Sequence, residues 1–389
     1  MKSFYIWALS LMFGSAISQA GALESQWELA MAAAYDRASD SALFEGESNV
    51  SRQALLQGAF QYEAWEGQVS AFHQAERGGS EDSLLVVAEL FRQGSWQDWD
   101  WLIGKRRLDF GVGYGHRPLD WFLPMERNPV SLQVSEGVGV MSASHFTGSG
   151  EFSVMLVDAG ISQHSGGTLP KGIAARWYQL GASAEWQLLG YIDDKRGVNL
   201  GGSWVNTYGE QWEAHAEWRY QQDHWRWQPP ELKAIPKQEK ENNGWQALIG
   251  MTWANSAGHS VILEYWFDSR SWGKNEWDQV FDYSQWYQNQ GVQWDSFRRS
   301  SAMAFSGENA LRHNLLLHWM LSNNEYHPKV DLIYTPEDSG LILTIGGERK
   351  LTEDWVLGAS ARFFGGRNES AFAQLQSQAA FTFSTTIVF

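Results

Sequence analysis

Nothing constrains this chain more than a two-residue period that recurs from one end to the other. Its cleanest instance spans 210–221, where Trp212, Ala214, Ala216, Trp218 and Tyr220 alternate with Glu213, His215, Glu217 and Arg219. A helix turns about 100° per residue and would scatter those charges around its girth, whereas a strand puts them all on one side. The same pattern closes the chain. Phe389, Ile387, Thr385, Phe383, Phe381 and Ala379 form one face, and apart from Val388 the residues between them are small or polar.

A final strand with one greasy face, ending on an aromatic residue, resembles the bacterial outer-membrane β-barrels. That resemblance implies insertion into outer-membrane lipid of a Gram-negative envelope by the barrel assembly machinery, which reads the strand ending in Phe389. At the other end, Met1-Lys2 precedes an apolar run from Phe4 to Ile17 and the small-x-small triplet Ser18-Gln19-Ala20. Residues 1–20 therefore read as a cleaved export signal, and 21–389 as a single barrel domain. After that leader no apolar run reaches about eighteen residues, so no membrane-crossing helix is expected.

Followed in order, the alternation marks strands near 25–35, 54–62, 69–71, 83–93, 96–105, 137–146, 151–158, 172–181 and 183–192. It continues at 198–208, 210–221, 243–254, 258–268, 309–321, 329–336, 340–348, 353–364 and the terminal segment. Tight connections are expected near Glu63–Gly67 and Gln93–Ser95. Long connections near 36–50, 106–136, 222–242 and 269–308 all fall at odd-numbered joints, while most even-numbered joints are at most about six residues. Long extracellular loops facing short periplasmic turns are the mark of an outer-membrane barrel. The expected fold class is all-β, a transmembrane antiparallel β-barrel of about 18 strands.

Composition narrows the function. With no cysteine, the chain offers no disulfide and no thiolate site. Asp and Glu outnumber Lys and Arg by 45 to 29, which disfavours nucleic acid as a partner. The 23 Trp and 13 Tyr suit aromatic girdles at two bilayer surfaces.

A barrel of about eighteen strands encloses an aqueous lumen, so the expected function is a passive channel for hydrophilic solutes. The insertion 106–136 is the third connection on the long-loop side, at the position where general porins fold a loop into the lumen. Its Arg106, Arg107, Asp109, His116, Arg117, Asp120, Glu126 and Arg127 are the candidate constriction, and Gly104, Gly111, Gly113 and Gly115 allow tight packing. The other reading of the same residues is an external loop held over the mouth by its own ion pairs. Inward faces place Glu185, Glu213, His215, Glu217, Arg219, Glu264, Arg312, His318 and Arg362 on the lumen wall. Outward faces place Trp245, Leu263, Leu315, Leu317, Trp355 and Phe383 against lipid. Leu263→Arg should therefore be costly, and an inward Arg219 should tolerate change.

The segment Gly104-Lys105-Arg106-Arg107-Leu108-Asp109-Phe110-Gly111 loosely resembles a run seen in the alginate-export type of monomeric eighteen-stranded barrel. That resemblance, over about thirty residues, implies a strongly basic lumen for an anionic polymer. The mixed lining here departs from it, which puts an alginate-like solute in doubt. Trp272, Trp277, Tyr283, Trp286, Tyr287 and Trp294, with Phe297, Trp225 and Trp227 nearby, could stack sugar faces, making carbohydrate the favoured solute; alternatively they pack the loops together. Two other classes stay open, a plugged barrel serving adhesion or assembly and an outer-membrane lipid hydrolase. For the latter His259 and His313 face lipid but lack an evident serine and acid, and no catalytic residue, metal site or cofactor is assigned.

Overall fold

A computed structural model describes residues 23–389 apart from 40, 42, 44–46, 80, 123–130, 163–169, 232–234, 292 and 306–308. The leader thus lies outside the described residues, as do Glu126 and Arg127. Strands β1 (Glu24–Ala38), β2 (Asn49–Tyr62), β3 (Trp65–Glu76), β4 (Glu81–Trp96), β5 (Trp99–Arg106) and β6 (Val138–Phe146) come first. Then follow β7 (Gly150–Asp158), β8 (Lys171–Leu180), β9 (Ala184–Asp193), β10 (Gly197–Tyr208), β11 (Trp212–Gln228) and β12 (Lys237–Ala254). After β13 (His259–Asp268) come helices α1 (Lys274–Gln290) and α2 (Trp294–Phe305). The chain ends with β14 (His313–Leu321), β15 (Tyr326–Thr335), β16 (Gly340–Lys350), β17 (Trp355–Gly366) and β18 (Ser377–Val388).

Each strand pairs antiparallel with its sequence neighbours, and β1 pairs with β18 from Glu28 opposite Val388 to Ala38 opposite Ser377. The sheet is thereby closed. In hydrocarbon this closure satisfies every ladder N–H and C=O and leaves no free edge. Outward positions such as Trp245, Leu263, Leu315, Leu317, Trp355 and Phe383 are exposed and form an apolar belt around the barrel. Trp65, Trp96, Trp99, Trp212 and Trp355 crowd the short-turn end, as an interfacial girdle does. The chain folds as a transmembrane antiparallel β-barrel of 18 strands.

Strand ends shift from the sequence expectation at several places, β3 most, from 69–71 to Trp65–Glu76. β4 runs on through Gln93–Ser95, and the turn falls at Gln97-Asp98, with Gln97 at φ 53°. Gly94 is no turn residue; it makes room for the Trp101 ring, whose Cζ2 would stand 2.6 Å from a Cβ there. The connection after β2 is likewise only Glu63-Ala64. The stretch 222–242 is mostly hairpin, because β11 and β12 stay paired out to Gln228 opposite Lys237. Its charges are held across the ladder, Lys240 to Asp223 at 2.8 Å and Arg226 to Glu241 at 3.6 Å.

The long connection after β13 is helical. Trp277, Val280, Ser284 and Tyr287 recur at helical spacing and are buried on one stripe of α1. The Glu276 carboxylate accepts the Gly273 N–H at its start, and Gly291 ends it in the left-handed region at φ 65°. Trp277, Val280 and Tyr287 join Leu43, Trp272, Phe297, Leu311 and Ala371 in an apolar core that caps the long-loop end. Loops after β1, β13 and β17 all contribute to it. Arg312 belongs to this cap, where it donates to Glu276 and to the Ser271 carbonyl, and not to the lumen wall as expected.

Candidate functional site

Between β5 and β6 the chain turns inward. Residues 107–122 form a tongue that crosses the lumen from β5 towards β13–β15 and returns to β9–β10. Both legs are fixed by backbone N–H groups donating to lumen-wall carboxylates. Glu217 on β11 accepts from Val112 at 2.7 Å, from Gly113 at 3.4 Å, and from Leu119. Glu264 on β13 accepts from Tyr114 at 2.6 Å and Gly115 at 2.7 Å. Both carboxylates are buried beneath the tongue. Such charge-assisted bonds are about twice as strong as neutral ones, and they satisfy N–H groups that no ladder reaches. Glycine is required at the tip, since a Cβ at Gly115 would stand 2.8 Å from Leu316 and one at Gly113 2.1 Å from the His116 carbonyl oxygen.

The return leg is anchored by apolar packing. Leu119, Trp121 and Phe122 bury against Leu102, Val138, Val140, Met155, Val157, Leu189 and Tyr191, which point inward from β5, β6, β7 and β9. The lumen is therefore not polar all round, contrary to the expectation for its inward face. One sector is apolar on both sides of the sheet, and the tongue covers it. Arg219 lies under the tongue with its guanidinium 5.6 Å from the Trp121 ring and is 3% exposed, so the expected tolerance does not follow.

The nominated constriction residues occupy different places. Arg117 bridges Asp109 at 2.6 Å and Asp120 at 3.6 Å, stitching the two legs together. Burial pushes the Asp120 carboxyl up to about 7, with Arg117 opposing the shift and Asp109 adding to it. His116 is buried at the tip, 3.1 Å from Gln246 and stacked on Trp266 at 5.7 Å. Arg107 pairs with Glu89 at 2.7 Å, and Arg106 lies over the Phe91 ring at 4.9 Å. Tyr114 packs on His318 at 4.3 Å and donates to Asp331, which His318 also meets at 2.7 Å; burial and that carboxylate push the phenol up.

Of the other lumen-wall residues, His215 meets Glu264 at 3.0 Å and Glu213 at 3.7 Å. Arg362 donates to Thr344, and Glu185 stands near the short-turn end of β9. Beside the tongue the lumen keeps two cavities of about 600 and 680 Å³, both reaching Arg106 and Arg107. The first is lined by Ser142, Ser144, Ser153, Glu151, Arg176 and Phe110, the second by Gln61, Glu66, Gln68 and Glu89. Both lie in the short-turn half of the barrel.

The aromatic cluster nominated for solute stacking is in the cap. Trp272, Trp277 and Tyr287 are buried there, Trp277 with 1% exposed, and Tyr283, Trp286 and Trp294 pack against them. Trp272 meets Trp277 edge to face at 4.7 Å, and Trp286 meets Tyr287 at 4.9 Å, so these rings pack the cap together. His313 bonds the Tyr265 hydroxyl at 2.7 Å, and His259 lies against Trp319 at 6.0 Å, at opposite ends of β13 and β14. Among the described residues no cluster of three or more His, Asp or Glu could hold a metal.

No family model and no curated protein matches the chain. Among solved structures, two double mutants of Rhodopseudomonas blastica porin align over 95% of this chain and 100% of theirs. They do so at TM-scores of 0.45 and 0.46, with 9% and 8% identity. A triple mutant of that porin gives 0.45 and 8%. The barrel stands on its own strand register. In architecture the chain is a closed antiparallel transmembrane β-barrel with a loop folded into its lumen.

Several residues of the site carry no sequence motif. Gln246, Asp268, Asn309 and Asp331 became partners of the tongue or its neighbours only through the closed sheet. The apolar anchor did leave a signal. Met155 and Val157 alternate with Val154 and Leu156, a strand greasy on both faces, which a barrel needs only where something packs inside.

Proposed function

We propose that the protein is an outer-membrane channel for hydrophilic solutes, narrowed by the third connection on its long-loop side. The observation that carries this reading is the tongue 107–122, held across a closed lumen by Glu217 and Glu264 with polar cavities left beside it. The apolar belt supports placement in the outer membrane, reached by export on the leader 1–20 and assembly through the strand ending at Phe389. The short turns then face the periplasm and the cap faces outward. Arg106, Arg107, Asp109, Arg117 and Asp120 set the charge along the remaining path.

Carbohydrate is the favoured solute class, with no cofactor in the cycle. Support comes from the first cavity, where Ser142, Ser144, Ser153 and Gln93 offer hydroxyl and amide groups beside the rings of Phe110 and Phe146. Hydroxyls meeting hydroxyls and rings is the chemistry a sugar needs, whereas Trp272, Trp277 and Tyr287 of the cap are buried and present no open ring face. Liposome swelling with a neutral hexose tests the channel. Swelling at a rate that falls for a trisaccharide is expected; impermeability to both in barrels shown to be folded would refute it.

A second reading has one observation in its favour, the cap with its own apolar core over the long-loop mouth. On that reading the barrel is plugged and its outer surface serves adhesion or assembly. A plugged barrel stays impermeable until the tongue or cap is removed.

A further inference from the structure

The tongue and the cap meet at one buried polar joint. Asp268, at the end of β13, is 1% exposed and accepts from three directions. Arg270, at the root of the cap, donates to it twice at 2.9 Å; Asn309, entering β14 from the cap, donates at 3.0 Å; Gln246 on β12 donates at 3.0 Å. The same Gln246 amide lies 3.1 Å from His116 of the tongue. A second link runs parallel to the first. Asn309 accepts the Trp266 indole N–H at 2.8 Å, and that ring stacks on His116.

From the joint the bonds run on to α1. The Arg270 carbonyl accepts from Arg226 at 3.1 Å, Arg226 reaches Glu276 at 3.1 Å, and Arg312 donates to the same carboxylate. Beside Asn309, the Ala310 carbonyl accepts the Trp277 indole N–H at 2.8 Å, and Leu311 is fully buried in the cap core. Asn309 cannot shift with the cap without leaving Asp268 and the Trp266 N–H short of partners. In a dry site that loss is costly, so the arrangement favours moving together over moving separately.

We infer that the cap and the tongue form one cooperative gate joined at Asp268 and Asn309, so that displacing the cap from outside releases the tongue within. This rests on the channel reading above and adds how that channel is regulated. Asp268 and Asn309 act as positioning residues, since neither touches the solute path.

Hydrogen exchange followed by mass spectrometry tests it on the full protein in detergent micelles, independently of conduction. The amides of Val112, Gly113, Tyr114 and Gly115 are read in wild type, in Asn309→Ala and in Asn309→Leu, which keeps side-chain volume at the joint but makes neither the bond to Asp268 nor the one to Trp266. Met303→Ala, on an exposed position of α2, is the control. Coupling predicts that both joint variants speed tongue exchange about tenfold or more while the control leaves it unchanged. Faster exchange confined to 274–305, with the tongue within about twofold of wild type, overturns the proposal. A wild-type barrel that does not pass solutes would defeat the channel reading instead, and the exchange result would still decide the coupling.

Discussion

Leu263 lies within β13 between Met251 and Leu317 on the outer face, 47% exposed. In a bilayer that surface meets hydrocarbon, and Leu263→Arg should cost about 2–4 kcal/mol near the midplane, read by urea titration of refolding into lipid vesicles. Arg219→Ala on the inner face should also destabilise, by about 1–3 kcal/mol, because its guanidinium is enclosed between Trp121 and Gln246. The lipid position was legible from period alone. The burial of Arg219 was not, since it depends on a tongue from a distant part of the chain. Asp120 gives a prediction in pH. Its docked carboxyl holds a proton up to about 7 against an ordinary 3.8, so its contribution to docking is full below the lower value and lost as pH rises through the higher. Proteolysis of the tongue should be faster at pH 8 than at pH 5, and Asp120→Asn should remove that share of the difference.

The tongue is an element held by two unlike devices, and each can be removed separately. Glu217→Gln with Glu264→Gln discards both charges and leaves one acceptor oxygen on each side chain where two accept now, so at least two of the five N–H bonds lose their acceptor and the others fall towards the neutral range. The expected result is a tongue that exchanges faster in a barrel that still folds and migrates as a compact species. Trp121→Ala removes the apolar anchor and should cost about 3–5 kcal/mol of docking stability. An unchanged exchange rate in both would mean that the described contacts do not hold the loop. Much of this element was readable: the loop, its position, its charges and its glycines. The helices left a signal too, the spacing of Trp277, Val280, Ser284 and Tyr287, which the loop reading of 269–308 passed over. What local pattern could not supply was which wall residues the tongue meets, because register around a closed sheet decides that.

At the scale of the whole molecule, alternation and the parity of loop lengths sufficed for eighteen strands, since closure in lipid leaves few alternatives to an even, up-and-down barrel. The assembly of cap and tongue around Asp268 lay beyond that pattern, as its members come from the tongue, β12, β13 and the chain entering β14. The central claim is that residues 107–122 narrow a conducting lumen. Single-channel conductance and ion selectivity in a planar bilayer, comparing wild type with a variant lacking residues 108–136, tests it most directly. The account predicts a conducting wild type whose current rises and whose selectivity shifts on deletion. Identical conductance and selectivity in the two proteins would contradict it, and so would silence in both.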